Sequence, residues 1–322
     1  MHAESSSPFN RTLTLISLSL AILFVIGVLI SGRMVFQHAS QQPIGMSALP
    51  APDAQTPECT QLLDSLPSTL DGHRRAELVD PAPEGAAAWG EFGQRAISLR
   101  CGVTPPAQFT ALSDLQEIDG TDWLLVGDAT PGSQMKTFYA LNRAVVVALT
   151  YDQGGADTPP EEITSLLADM PTTTRSPQPA PLASLPRAAG SAASCRALLA
   201  HLPETLGTDG VYTREELKES GHTDTGLHPE SDAVWTAPGL EPVVLRCGTE
   251  LPASYQPGVE LHQVNDIPWF EDTELAPGST ASTWYALGRD ATVAVSMPQE
   301  AAASVSVDLG AAISQHTKKT SD

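Results

Sequence analysis

The sequence predicts an α+β protein: two tandem copies of a small antiparallel-sheet domain with helices on one face, preceded by one transmembrane helix. Three observations lead there. A long uncharged run lies between Arg11 and Arg33. The chain matches itself at a steady offset, the signature of an internal repeat. Within each copy, short apolar strands are followed by a helix with no βαβ alternation, which points to an antiparallel sheet rather than a doubly wound one.

The uncharged run spans residues 12–32 and centres on Leu20–Ile26. As a helix it rises about 31 Å, close to the thickness of a hydrocarbon core. A signal-peptide core is shorter, about 7–15 residues, and ends at a small-x-small cleavage site. No clean site follows Ile30, and the first cysteine, Cys59, lies too far downstream for a lipoprotein. An uncleaved signal anchor over 12–32 is therefore expected, with a cleaved export signal as the alternative. The flanking positive charges are nearly balanced and guide orientation weakly. Cysteine usage and the long C-terminal part favour residues 1–11 in the cytoplasm and the domains outside, in a single-pass plasma-membrane protein. Residues 33–58, rich in Gln, Ser, Ala and Pro, read as a stalk.

The repeat begins at Cys59. Cys59–Leu70 matches Cys195–Leu206 at an offset of 136, with Cys, Leu62, Leu63, Leu66, Pro67, Thr69 and Leu70 preserved. From Trp89 the offset is 146, so Trp89 maps to Trp235, Leu99–Gly102 to Leu245–Gly248, Trp123 to Trp269, Tyr139–Leu141 to Tyr285–Leu287 and Arg143 to Arg289. The two domains are assigned to residues 59–170 and 195–322. Residues 171–194 have the Pro/Ala/Ser bias of a semi-extended linker, which leaves the geometry of the pair open.

Within copy one, Thr60–Leu66 has helical apolar spacing and stops at Pro67. Ala96–Val103 reads as a strand with Ile97, Leu99 and Cys101 on one face. Leu115–Leu125 and Tyr139–Thr150 read as two further strands. Pro160 and two acids then open a helix running to about Met170. Copy two repeats this with strands Val243–Cys247, Leu261–Phe270 and Tyr285–Met297 and a final helix near Val307–His316. Thr213–Glu216 has the form of a capping box and predicts a short surface helix.

The net charge of −21 removes the counterion-release drive for phosphate backbones and excludes nucleic-acid binding. The acidity sits in the domains: residues 59–170 hold 6 basic against 16 acidic side chains, and residues 195–322 hold 7 against 19. Four cysteines allow three pairings, and the duplication selects Cys59–Cys101 and Cys195–Cys247. In an oxidising compartment each bond would stabilise its domain by about 4 kcal/mol in the chain-entropy treatment.

Trp89, Trp123, Trp235 and Trp269 recur at matched spacing and read either as an aromatic ligand platform or, in a chain so poor in aromatics, as core. Arg100, Arg143, Arg246 and Arg289 could take a carboxylate or phosphate ligand, or pair with the domain's own carboxylates. Ser133 and Lys136 fit the SxxK pattern of serine enzymes, but the counterpart of Lys136 is Ser282, and no Lys-Thr-Gly follows. His222, Asp224, His228 and Glu230 cluster in copy two without a known zinc spacing and read as a solvated loop. No cofactor or metal is expected.

Ala86-Ala87-Ala88-Trp89-Gly90, Ile97–Val103, Ile118–Trp123 and Arg143–Val147 together resemble the actinobacterial domain of unknown function numbered 3515. The resemblance covers nearly all of 59–170 and, more loosely, 195–316. In copy two Ala233-Val234 precedes Trp235 with no glycine after it, and Asp266-Ile267-Pro268 replaces Gly-Thr-Asp before Trp269. Members of that family are typically exported and membrane-anchored with one such domain. The resemblance implies the same setting here, a diverged second copy and no transferable catalytic residue.

A non-enzymatic, membrane-anchored envelope protein is expected, whose tandem domains bind or assemble with an envelope protein or cell-wall partner. One alternative is a hydrolase acting on wall material, for which Asp119 and Asp122 beside Trp123 are the local acidic pair. Their counterparts Asn265 and Pro268 rule out a symmetric active site. The other is acidic capture of cations or basic polymers.

Overall fold

The structure is a computed structural model describing residues 11–130, 132–217, 225–273 and 279–320. Helix α1 (Arg11–Ser40) contains the apolar span Thr12–Phe36, long enough to cross a membrane. Copy one comprises α2 (Pro57–Ser65), β1 (Thr69–Leu70), β2 (His73–Ala76), β3 (Ala86–Glu91), β4 (Gln94–Cys101), β5 (Leu115–Ile118), β6 (Thr121–Gly127), β7 (Lys136–Ala140), β8 (Val147–Tyr151) and α3 (Glu161–Ala168). Copy two comprises α4 (Ala192–Leu199), β9 (Thr205–Leu206), β10 (Tyr212–Glu215), β11 (Asp232–Thr236), β12 (Val243–Cys247), β13 (His262–Val264), β14 (Ile267–Asp272), β15 (Ala281–Ala286), β16 (Val293–Pro298) and α5 (Gln299–His316).

Each copy forms one antiparallel eight-stranded sheet, ordered β1-β2-β3-β4-β8-β7-β6-β5 and β9-β10-β11-β12-β16-β15-β14-β13. The registers repeat as well as the order. Trp89 faces Ile97 as Trp235 faces Val243, and Cys101 faces Val147 as Cys247 faces Val293.

The helices cover one face of each sheet. In copy one, Leu62, Ile163 and Leu167 pack on Trp89, Leu99, Trp123 and Val147. In copy two, Leu198, Val305, Leu309 and Ile313 pack on Trp235, Leu245, Trp269 and Val295. The alternation expected of β4 holds: Ile97, Leu99 and Cys101 all enter the helix-side core.

Several elements differ from the sequence reading. Leu115–Leu125 is not one strand but the β5–β6 hairpin, turned at Asp119-Gly120 with φ of 51° and 70°. Asp-Gly is the residue pair such a tight turn favours. Leu261–Phe270 is likewise the β13–β14 hairpin. Tyr139–Thr150 divides into β7 and β8, and Tyr285–Met297 into β15 and β16. The break in copy one is held by Asn142, whose side chain accepts from the Asp122 amide at 2.9 Å and donates to the Gly120 carbonyl at 3.0 Å. Helix α5 begins eight residues before Val307, at Gln299, directly after Pro298. Thr213–Glu215 lies in β10 rather than a capped helix, because Thr213, Arg214 and Glu215 pair with Thr236, Trp235 and Val234.

The largest correction concerns the segments read as stalk and linker. Residues 44–54 form a strap on copy one. Ile44 is buried, its amide donates to Glu77 O at 2.8 Å, Asp53 N donates to Gly102 O at 3.1 Å, and Arg100 Nη2 donates to Ser47 O at 2.7 Å. Residues 180–188 do the same for copy two: Ala180 and Leu182 are buried, Ala188 N donates to Gly248 O at 2.8 Å, and Arg246 Nη1 donates to Ala183 O at 3.1 Å. Ser47 and Ala183 are 136 residues apart, the offset that relates the first helices. The straps are therefore part of the repeating unit. Gly102 permits the close approach, since a Cβ there would lie 2.3 Å from Asp53 C and Ala54 N.

Candidate functional site

The cysteines pair as expected, Cys59–Cys101 and Cys195–Cys247, with Cα–Cα distances of 5.5 Å in both copies. Each bond ties the first helix to the central strand.

The four repeated tryptophans form no ligand platform. All are buried, because β3, β6, β11 and β14 turn them under the helices. Trp89 Nε1 donates to Pro67 O at 3.0 Å and Trp235 Nε1 to Pro203 O at 2.9 Å. Trp123 Nε1 and Trp269 Nε1 are buried without a hydrogen-bond partner among the described residues.

The four repeated arginines are also committed to the fold, three of them through several bonds and Arg100 through its bond to the strap. Arg143 donates to Thr121 Oγ1 and to the carbonyls of Asp119, Ala168 and Met170, closing the C-terminus of α3. Arg289 donates to Ser314 O and Asp266 at the end of α5. Arg246, 2% exposed, forms a two-pronged pair with Asp232 at 2.9 and 2.7 Å and donates to Ala183, Leu185 and Gly226 carbonyls. Arg100 differs, because Ala86 stands where copy two has Asp232. It is half-buried, and burial, with Arg95 nearby, pulls its pKa below the ordinary arginine value.

The other sequence candidates are dispersed. Lys136 Nζ donates to Gly155 O at 3.0 Å and Asp157 at 3.2 Å, while Ser133 Oγ accepts from Met135 N. No hydrogen bond joins Ser133 to Lys136 among the described residues. His222 and Asp224 lie outside the described residues, and His228 and Glu230 are exposed, 3.9 Å apart. Asp119 accepts from Thr164 Oγ1 at 2.6 Å. Asp122 faces a groove of about 300 Å³ with Asn142, Thr173 and Arg175.

A concavity of about 500 Å³ lies between the copies. Copy one supplies Gln108, the loop Thr110–Asp114, Gln116 and residues Leu124–Val126 of β6. Copy two supplies Glu215, Leu217, Val234 and the turn from Thr236 to Pro242. The copies touch where Gly127 N donates to Gly239 O at 2.6 Å. Both partners are glycines for a steric reason: a Cβ on Gly239, at φ +73°, would lie 3.2 Å from Gly127 N. Beside this contact, Glu241 accepts from Gln108 Nε2 of the other copy at 3.0 Å and from Ser279 Oγ and Thr280 N at 2.7 and 2.9 Å.

The cleft has an apolar floor of Leu124, Val126, Val234 and Leu240 and an acidic rim of Asp114, Glu215 and Glu241. Among the described lining residues there is no Lys, Arg or His. Burial, with Glu241 and Glu300 adding their charge, pushes the nearby Tyr212 hydroxyl up to about 12. One wall ends in β5, the last strand of its sheet, with three of its four residues exposed. Sequence reasoning missed this site because it joins non-equivalent parts of the two copies. The available signal was Pro238-Gly239-Leu240-Glu241, a copy-two turn unlike Phe92-Gly93-Gln94-Arg95 in copy one.

Fold and cleft together define a class: a tandem-repeat α+β protein with two strapped, disulfide-closed units behind an apolar N-terminal helix. The chain belongs to the family described as Protein of unknown function (DUF3515), whose model matches it twice, over residues 18–174 and 166–321. No curated protein and no solved structure matches it.

Proposed function

We propose that the protein is a non-enzymatic binding module, held to the plasma membrane by α1 with both copies outside. Its cleft takes an extended basic segment of an envelope protein. The observation that carries this reading is a cleft built half from each copy, apolar at its floor and acidic at its rim. Its open neighbour β5 offers unpaired main-chain groups for strand addition, while the floor and rim select side chains. An acidic rim raises the association rate of a cationic partner and makes it salt-sensitive. The two disulfides support the extracytoplasmic assignment, since such bonds persist in oxidising compartments.

The test uses the full chain in detergent and three fluorescent decapeptides of alternating apolar and charged residues, basic, neutral and acidic, read by anisotropy. The basic peptide should bind, weaken with salt and lose binding when Asp114 and Glu215 are both changed to Lys. Equal binding of the acidic peptide, or unchanged binding to the double variant, would refute the assignment.

A further inference from the structure

The β3–β4 turn of copy one is Phe92-Gly93, with φ of 56° and 71°. A two-residue turn of this hand favours Asn-Gly or Asp-Gly, and a bulky aromatic at positive φ is strained. Phe92 is nevertheless found there, 41% exposed at the tip. Its ring meets Phe36 edge-on, centroids 5.0 Å apart, and its amide donates to Ser40 O at 3.4 Å. Phe36 is the last residue of the apolar span and Ser40 the last of α1. The tip is thus fixed at the level where the span ends. Behind it, the strap continues the contact, with Ile44 Cδ1 lying 3.0 Å from where a Gly90 Cβ would be.

Copy two supplies an internal comparison. The residues equivalent to Phe92-Gly93 are Pro238-Gly239, and that turn meets Gly127 of copy one instead. The same hairpin therefore docks each unit onto what precedes it in the chain. In copy two the partner is a protein backbone and the tip needs no large side chain. In copy one the preceding element is an apolar helix, and the tip carries an aromatic that the helix covers only partly.

We infer that Phe92 enters the headgroup–acyl boundary of the bilayer beside Phe36 and orients copy one on the membrane, its ligand being the lipid interface itself. Apolar side chains, Phe among them, on elements lying at the membrane surface bury in that boundary. The Phe36 contact and lipid burial repay the strained backbone. Phe92 then acts as a second anchor point, so copy one does not swing freely about the end of α1. This inference rests on the reading that α1 spans the bilayer.

The test places an environment-sensitive NBD fluorophore on a Phe92→Cys variant of the full chain, reconstituted in phosphatidylcholine vesicles with doxyl-labelled lipid. A Val25→Cys variant, labelled the same way, reports on α1. Unchanged non-reducing mobility and thermal midpoint establish that each labelled chain keeps its fold and native disulfides. NBD at residue 92 should lose intensity with doxyl near the headgroup and lose less with doxyl at the chain terminus. Quenching at residue 25 without quenching at residue 92 would overturn the docking inference and leave the anchor standing. Absence of quenching at both would overturn the anchor and the inference together.

Discussion

Arg143 donates to the main-chain oxygen of Ala168 at 3.3 Å, and 146 residues on, Arg289 donates to Ser314 O at the same distance. The duplication has preserved a bond between the turn before the last strand and the end of the covering helix. In each copy a guanidinium meets carbonyls that the helix itself cannot satisfy, at the negative end of its dipole. The sequence left these arginines open between binding a ligand and pairing with the domain's own carboxylates. Their recurrence follows from closing the helix layer.

Arg143→Ala should therefore destabilise copy one by about 2 kcal/mol, since it strands the buried carbonyl of Met170 and the partly buried carbonyls of Asp119 and Ala168. Arg143→Lys should recover little, because one ammonium cannot span partners that the planar guanidinium reaches together. Urea unfolding of the full chain in detergent, followed by tryptophan emission, measures both.

Gly310→Ala should stabilise copy two by about 0.5–1 kcal/mol. Gly310 lies inside α5, and a Cβ there would come no closer than 3.7 Å to Asn265 Nδ2 and 4.0 Å to Trp269. The equivalent residue in copy one is Thr164, which donates to Asp119, the equivalent of Asn265. Copy two lacks the donor hydroxyl of that bond, and Asn265 replaces the carboxylate with an amide. A rise in thermal midpoint is the expected result, and a fall would mean that the helix needs its glycine for approach to the sheet.

Burial pushes Tyr212 and Tyr285 up to about 12 and also raises Tyr139 and Tyr151, the last further lifted by its bond to Asp71. A raised folded pKa favours the neutral phenol, so the contribution is fully present below the unfolded value of about 10 and is lost as pH rises through the folded value. Stability should fall between pH of about 10 and 12, and the larger part of the tyrosinate absorbance, which these four residues supply, should rise in step with unfolding rather than ahead of it.

Gly239→Ala should loosen the pair without unfolding either copy. It strains a residue at φ +73° and pushes a methyl toward Gly127 N at 3.2 Å. Hydrogen exchange of the Gly127 amide should accelerate, while amides of β4 and β12 keep their protection. If binding of the basic peptide survives unchanged, the cleft is not the shared site proposed above.

The repeat, the disulfides and the helix-covered sheet were legible because they rest on local chemistry: one cysteine before the first helix and one in the central strand of each copy, Ile97, Leu99 and Cys101 alternating, Pro160 opening a helix. The hairpins were read as single strands although Asp119-Gly120 carries the turn signal, because Val145–Val147 and Leu124-Leu125 look like uninterrupted strand. The straps were hidden for a different reason. Residues 44–54 and 180–188 have no periodicity, and their order comes from arginines and main-chain bonds supplied by distant strands. The cleft was least visible, since Gln108 and Glu241 meet only once both units have folded.

The second strap changes what the Pro/Ala-rich stretch tolerates. Connectors of that composition usually gain and lose residues at little cost. Here Arg175 and Gln178 are bonded to copy one, while Ala183, Leu185, Pro186 and Ala188 are bonded to copy two. A single inserted or deleted residue would shift one of these carbonyls off its arginine or its strand. The part of the sequence that looks most free to drift in length is therefore one where length is fixed on both sides.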